Sequence, residues 1–182
     1  MSPKDFEIDA DLIEALFLRY RKTMQRIANA IVKDVHEADD IVSLAMIKIM
    51  KNIGKIDNID TDRCKHFIMV ITKNTALSEL SKKKNRKTVT FAPTEMVNIV
   101  GGNIDLHEFE GAYGFSEEIT TLLAELKEGD KDILCLKYGD DYSDTEISEI
   151  LEIKEDTVRK RLSRARKRLG EILEAERCAR GL

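Results

Sequence analysis

The segment from Tyr142 to Leu169 reads YSDTEISEILEIKEDTVRKRLSRARKRL, and its residue types suit a phosphate-binding surface. From Lys154 to Leu169 eight Lys and Arg stand against two acids, a net +6. Wound as a helix, this stretch divides into two faces. Val158, Leu162, Ala165 and Leu169 recur at spacings of three and four and form an apolar seam. The opposite face presents Glu155, Asp156, Arg159, Lys160, Ser163 and Arg166. An exposed helix of this kind fits the B-DNA major groove, which is about 12 Å wide. Its first turns reach base edges, while Arg161, Arg164, Lys167 and Arg168 are placed to neutralise phosphates. Glu155 and Asp156 repel phosphate, so they are expected to accept from base edges such as the cytosine amino group, or to complement the helix dipole.

Such a helix needs a partner to hold it. Just upstream, Ser143 and Glu146 have the S-x-x-E spacing of a capping box and open a short helix through Leu151. Ile147, Ile150, Leu151 and Ile153 supply the seam that meets Val158, Leu162, Ala165 and Leu169. Glu152-Ile153-Lys154 forms a three-residue turn between the two helices. A capped short helix, a tight turn and an amphipathic basic helix are the parts of a helix-turn-helix.

A second cationic block lies at residues 63–88, with a net +7, while 89–130 carry −8 and 131–153 carry −5. The whole chain, with 30 Lys and Arg against 34 Asp and Glu, is at −4. That balance alone argues against a nucleic-acid binder. Attraction to phosphate is nevertheless set by charge within a Debye length of about 8 Å, so the two blocks outweigh the average.

The chain has 182 residues and only two prolines, Pro3 and Pro93, so nothing breaks a helix between residues 4 and 92. Strand-like alternation is nearly absent, and an all-α fold is expected. A first helix, about Asp9 to Val32, carries Leu12, Leu16, Tyr20, Met24, Ile27 and Ile31 along one stripe. A second, about Glu37 to Ile53, carries Ile41, Leu44, Ala45, Ile47 and Ile49 and is expected to stop with Gly54 in the left-handed C′ conformation. A third, about Thr61 to Lys84, carries Phe67, Val70, Ile71, Leu77 and Leu80. Residues 85–115 have no sustained period and hold Pro93 and four of the nine glycines, as a flexible linker does. Four helices then follow, with Ser116 capping one that ends at Gly129 and Asp130 capping one that ends at Gly139. The architecture expected is two small helical domains: 1–88, a linker at 89–115, and 116–182, the last a four-helix domain with the helix-turn-helix.

Other classes find little support. The three histidines, His36, His66 and His107, lie in three different segments, and no Ser-His-Asp, H-E-x-x-H or phosphate-loop pattern occurs, so the chain is expected not to be an enzyme. Cys64, Cys135 and Cys178 are odd in number and far apart, unlike a disulfide framework or zinc cluster, so neither metal nor cofactor is expected. The longest uncharged stretch is nine residues, Met96 to Ile104, far short of the roughly 18 residues of a membrane span. The acidic opening MSPKDFEIDADLIE is unlike a secretory leader, and a reduced cytoplasmic setting is expected.

The segment ELKEGDKDILCLKYGDDYSDTEISEIL followed by TVRKRLSRARKRL resembles the −35-reading domain of the sigma-70 family of RNA polymerase sigma factors, especially the short extracytoplasmic-function type. The likeness implies −35 contacts by Glu155, Asp156, Thr157, Arg159, Lys160, Arg161, Ser163, Arg164 and Lys167. Two departures stand in the turn: Glu152 where the family commonly has Gly, and Lys154 where a Ser or Thr cap is usual. Upstream, EADDIVSLAMIKIMKNI is similar to the family helix that docks on the clamp of polymerase's largest subunit. That implies a polymerase-binding set of Asp39, Asp40, Ile41, Ser43, Leu44, Met46 and Ile47, with Ser43 in place of the usual Gln and Leu44 in place of the usual acid. CKHFIMVITKNTALSELSKKKNRK is similar to the −10-element helix, implying Phe67, Lys73, Asn74, Lys82, Lys83, Lys84 and Arg86 as contacts to the opened strand. Phe67 and Asn74 also have plain readings, as a core aromatic and a solvent-facing amide.

The resemblance therefore implies a promoter-specificity subunit that reads −35 and −10 elements and assists promoter melting. Its implied partners are promoter DNA and core RNA polymerase, through the clamp helices and the flap. A sequestering anti-sigma partner is common in the family, and no residue here identifies one. The alternative is a helix-turn-helix regulator that binds DNA without serving polymerase.

Overall fold

The computed structural model describes residues 10–87 and 117–179, and among these every regular element is helical. They fall into two compact units, divided between residues 96 and 97. The expected linker at 89–115 and the Ser116 cap lie outside the described residues.

The first unit holds α1 (Ala10–Val32), α2 (Val35–Lys51) and α3 (Asp62–Lys87). α1 buries Leu16, Tyr20, Met24, Ile27 and Ile31 of the stripe read from the sequence, with Ala28 beside it, and leaves Leu12 half-buried. Lys33 takes a left-handed φ of 58°, and the chain reverses at once into α2. Asp34 caps that helix, its carboxylate accepting from the backbone N–H of His36 at 2.9 Å and of Glu37 at 3.0 Å. These bonds to the charged form, that of Glu37 foremost, hold the Asp34 carboxyl below its ordinary pKa.

α2 ends without the help of Gly54. Asn52 closes it, its backbone N–H reaching Ile49 O and Met50 O and its amide donating to Lys48 O at 3.0 Å. Because the asparagine satisfies the last carbonyls, no left-handed glycine is needed, and Gly54 sits in a 3₁₀ turn, Ile53–Lys55. Tyr20 then pins the connection to α3, donating its hydroxyl to Ile59 O at 2.6 Å.

α3 packs on both α1 and α2. A single stripe was expected, yet Cys64, every residue from His66 to Lys73, and Thr75 and Ala76 are all buried. The segment IMVIT has too few polar positions to define a wet face, so this part of the helix is enclosed all round. Its buried hydroxyls are satisfied locally: Thr72 donates to Ile68 O and Thr75 to Ile71 O, each at 2.7 Å.

The second unit contains α4 (Glu117–Ala124), α5 (Glu128–Leu134) running into a π-turn at Cys135–Gly139, α6 (Asp144–Leu151) and α7 (Glu155–Ala179). α4 stops five residues before Gly129, and Asp130 lies inside α5 rather than at its cap. The first bend forms without glycine through Glu125 N–H to Leu122 O and Leu126 N–H to Leu123 O. Asp130 is free of capping duty because it points inward, only 5% exposed.

α6 opens on the expected capping box: Ser143 Oγ accepts from Glu146 N–H at 3.2 Å, and Glu146 Oε2 accepts from Ser143 N–H at 2.8 Å. It closes on Glu152, at φ 52° and ψ 43°, with Ile153 N–H returning to Ser148 O at 3.0 Å. This is the left-handed C′ geometry in which glycine is favoured, and a side chain there is strained. Glu152→Gly is accordingly expected to stabilise this unit by up to about 1 kcal/mol, read as a higher denaturation midpoint of the full chain. A lower midpoint would show that Glu152 makes up the strain by other contacts.

Candidate nucleic-acid interface

α7 is held by its inner face. Val158, Leu162, Ala165 and Ile172 are buried, as are Ile147 and Ile150 of α6. Leu151, Ile153 and Leu169, expected in the same seam, are half-buried at its margin. The α6–α7 pair is therefore a helix-turn-helix whose second helix shows its outer face to solvent. Asp156, Arg159, Lys160, Ser163, Arg164, Arg166, Lys167 and Arg168 are exposed there, while Glu155, Thr157 and Arg161 are half-buried.

Eight of the nine residues assigned to −35 contact separate into three kinds, and Thr157, the ninth, is half-buried. Lys160, Ser163 and Lys167 are exposed on the outer face. Glu155, Asp156 and Arg159 form a cluster at the first turn: Arg159 Nη2 donates to Glu155 Oε1, and Nη1 donates to Asp156 Oδ1 at 3.2 Å. Glu155 Oε2 also accepts from the Thr145 hydroxyl of α6 at 3.2 Å. The third kind is engaged with the unit itself: Arg161 is half-buried, and Arg164, though exposed, is clasped to α5. Arg164 Nε meets Asp130 Oδ2 at 2.9 Å and its Nη2 meets Oδ1 at 2.6 Å, a two-pronged clasp onto α5. That bond to Asp130 raises the Arg164 pKa, whereas burial lowers that of Arg161. Arg164 thus braces the unit, which a count of cations on a helical wheel does not foresee. No sequence spacing marks Asp130, 34 residues away, as its partner.

In the first unit the seven residues assigned to polymerase divide by helix face. Asp39, Asp40, Ser43, Leu44 and Ile47 are outside, the last two 39% and 50% exposed. Ile41 and Met46 are buried against the core. Their burial follows from the α2 seam, in which Ala38, Ile41, Val42, Ala45 and Ile49 also point inward. Leu44 and Ile47 are large apolar side chains on the outer face of α2, as Val35 is at its start.

The −10 set is less uniform. Phe67 is 0% exposed, so in this structure it offers no surface to a base and takes the core role. Lys73 is 8% exposed and likewise turned in. Asn74 is half-buried, its amide group donating to Val70 O at 2.8 Å. Lys82 pairs with Glu79 at 2.7 Å, and Lys83 pairs with Glu37 of α2. Lys84 and Arg86 lie on α3, and their side chains are outside the described residues. Lys83 thereby ties the cationic end of α3 to the first turn of α2, and the sequence reading did not foresee Glu37 or Glu79 as partners of these lysines.

Among the described residues no three His, Cys, Asp or Glu side chains come together in a way that could hold a metal ion. Burial pushes the Cys64 thiol up to about 11, so it is protonated at neutral pH and a poor nucleophile. No described helix is long and apolar enough to cross a membrane.

Two family models match the chain. Residues 16–86 match Sigma-70 region 2, and residues 116–169 match Sigma-70, region 4. The ECF RNA polymerase sigma factor SigW of Bacillus subtilis (strain 168) is 27% identical over 172 residues, which cover 91% of this chain and 88% of that protein. The solved structure of CnrH in complex with the cytosolic domain of CnrY aligns at 16% identity with a TM-score of 0.36, over 90% of this chain and 88% of that one.

Proposed function

The chain belongs to the sigma-70 family of RNA polymerase sigma factors, in its extracytoplasmic-function type, and on that footing we propose how its residues divide the work of a polymerase sigma subunit. α7 enters the −35 major groove by its outer face. The carboxyl end of α3 holds the opened −10 strand, and the outer face of α2 docks on the polymerase clamp. Residues 1–88 form the domain that serves −10 and clamp, 89–115 the connection, and 116–182 the −35 domain.

The observation that carries this reading is the α6–α7 pair. Its seam is buried and its turn closed, so Arg159, Lys160, Ser163 and Lys167 are left together, exposed on the outer face of α7. Arginine and lysine so placed donate to guanine O6 and N7, and a good bidentate contact is worth about 1–3 kcal/mol of base discrimination. On α2 the matching observation is the pair Leu44 and Ile47, apolar and exposed beside Asp40 and Ser43.

The test is runoff transcription by core polymerase loaded with this chain, on a promoter library randomised at −35. Arg159→Ala with Lys160→Ala is expected to lower discrimination at the contacted base pairs about tenfold or more, a loss of at least ~1.4 kcal/mol. Unchanged −35 preference in the double variant would sink the groove assignment. Duplex binding without any promoter-dependent transcript would remove the proposed division of roles.

A further inference from the structure

The acids at the head of α7 are out of place on a helix that approaches phosphate, and their contacts suggest why they are there. Glu155 has one oxygen on each side of the turn. Oε1 receives Arg159 Nη2, one helical turn further on, and Oε2 receives the Thr145 hydroxyl from α6. Asp156 takes the other terminal nitrogen of Arg159, Nη1, at 3.2 Å. A long, exposed arginine that would otherwise sample many rotamers is thus tied at both ends of its fork. The tie runs back through Glu155 to α6, the helix that α7 packs on.

Tying does not exhaust the group. Of the five N–H donors of a guanidinium two are taken here and three remain, on a side chain that is exposed. Two suffice for a bidentate contact to guanine. A carboxylate behind an arginine fixes the direction of its remaining donors, as partners behind a metal-bound histidine fix its ring. Glu155 and Asp156 also make the first turn of α7 acidic. Phosphate is therefore disfavoured at that turn, which leaves the base edges as the place where Arg159 finds acceptors.

We infer that Glu155 is a positioning residue for −35 readout, holding Arg159, with Thr145 as its strut, so that the arginine addresses one base pair. The inference rests on α7 being the −35 reader. It differs from base contact by Glu155 itself, because both oxygens of Glu155 already face protein donors. Thr145 touches the system only through Glu155, so its effect on DNA is indirect.

The experiment uses holoenzyme assembled from core polymerase and the full chain, with promoters randomised at −35 and a constant −10. Base preference at each position is read by sequencing the transcribed templates. Arg159→Ala is expected to erase the preference at one base pair. Glu155→Ala should weaken preference at that same base pair about tenfold and leave the others within twofold. Glu155→Gln, whose amide oxygen still accepts from Arg159, should recover most of it. Thr145→Val, which leaves α7 untouched, should give a smaller loss at the same position and serves as the second probe where Glu155→Ala disturbs folding. Three outcomes overturn the inference: preference in Glu155→Ala unchanged at the Arg159 position, loss at a different position, or an equal loss at all positions. Should Arg159→Ala itself alter no position, the groove assignment fails first and the inference falls with it.

Discussion

Replacing Phe67 with alanine is expected to destabilise the amino-terminal unit by about 3–5 kcal/mol, among the larger losses a single core substitution gives. The side chain is fully buried within a run of buried residues from His66 to Lys73, on a helix that packs on α1 and α2, so truncation leaves a cavity. The natural rival is stacking on a melted base, worth about 1–3 kcal/mol per base and felt only when DNA is present. Phe67→Leu separates the two. It keeps most of the volume and should cost less than about 1.5 kcal/mol in the full chain, with open-complex formation by the holoenzyme retained. Normal stability with lost promoter opening in Phe67→Leu would restore the stacking role.

The second large effect belongs to the Arg164–Asp130 clasp. Asp130 is 5% exposed, and two of the Arg164 nitrogens lie within 2.9 Å of its oxygens. Removing one member of a buried pair typically costs about 3–5 kcal/mol, because the other charge is left without a partner. Here the arginine side chain is 57% exposed, so water can reach the site and the expected loss for Arg164→Ala is about 2–3 kcal/mol. Denaturation of the full chain should show it without DNA. In a double-mutant cycle with Asp130→Ala, the two losses should fall short of additive by at least about 1 kcal/mol, since the second change removes the orphaned carboxylate. Additive losses, or an Arg164→Ala variant as stable as the parent and weak only on DNA, would return Arg164 to phosphate contact.

What was legible in the sequence was whatever depends on local pattern. The α1 stripe, the Ser143–Glu146 capping box, and the Val158–Leu162–Ala165 seam follow from residues within one or two helical turns of each other. The capping pattern even placed the helix-turn-helix turn to the residue, and Glu152 takes the glycine conformation that its position demands. Failures came where a residue's role is settled by a distant partner. Asp130 looks like a cap beside Gly129, but Arg164 draws it inward across 34 residues. Gly54 looks like a helix stop, but Asn52 closes the helix first with its own side chain. Phe67 was legible as a core aromatic from its apolar stripe, but Lys73 belongs to a stretch too uniformly apolar for periodicity to say which side is wet, and the packing of both neighbours encloses it. Of the candidate sites, the outer face of α7 was readable as a face. Which of its arginines are committed to protein acids was not.

That commitment extends to the other cationic block. Lys82 and Lys83 are each paired with a carboxylate, Glu79 and Glu37. When a lysine moves from such a partner to a phosphate, the duplex sheds condensed counterions, but the abandoned carboxylate gathers cations from solution. The two transfers oppose each other in the mass action of the ions. With the −10 role proposed for these lysines, the chain's grip on DNA is expected to respond to ionic strength less steeply than its tally of lysines and arginines implies, and promoter occupancy to shift correspondingly little with a modest change of salt.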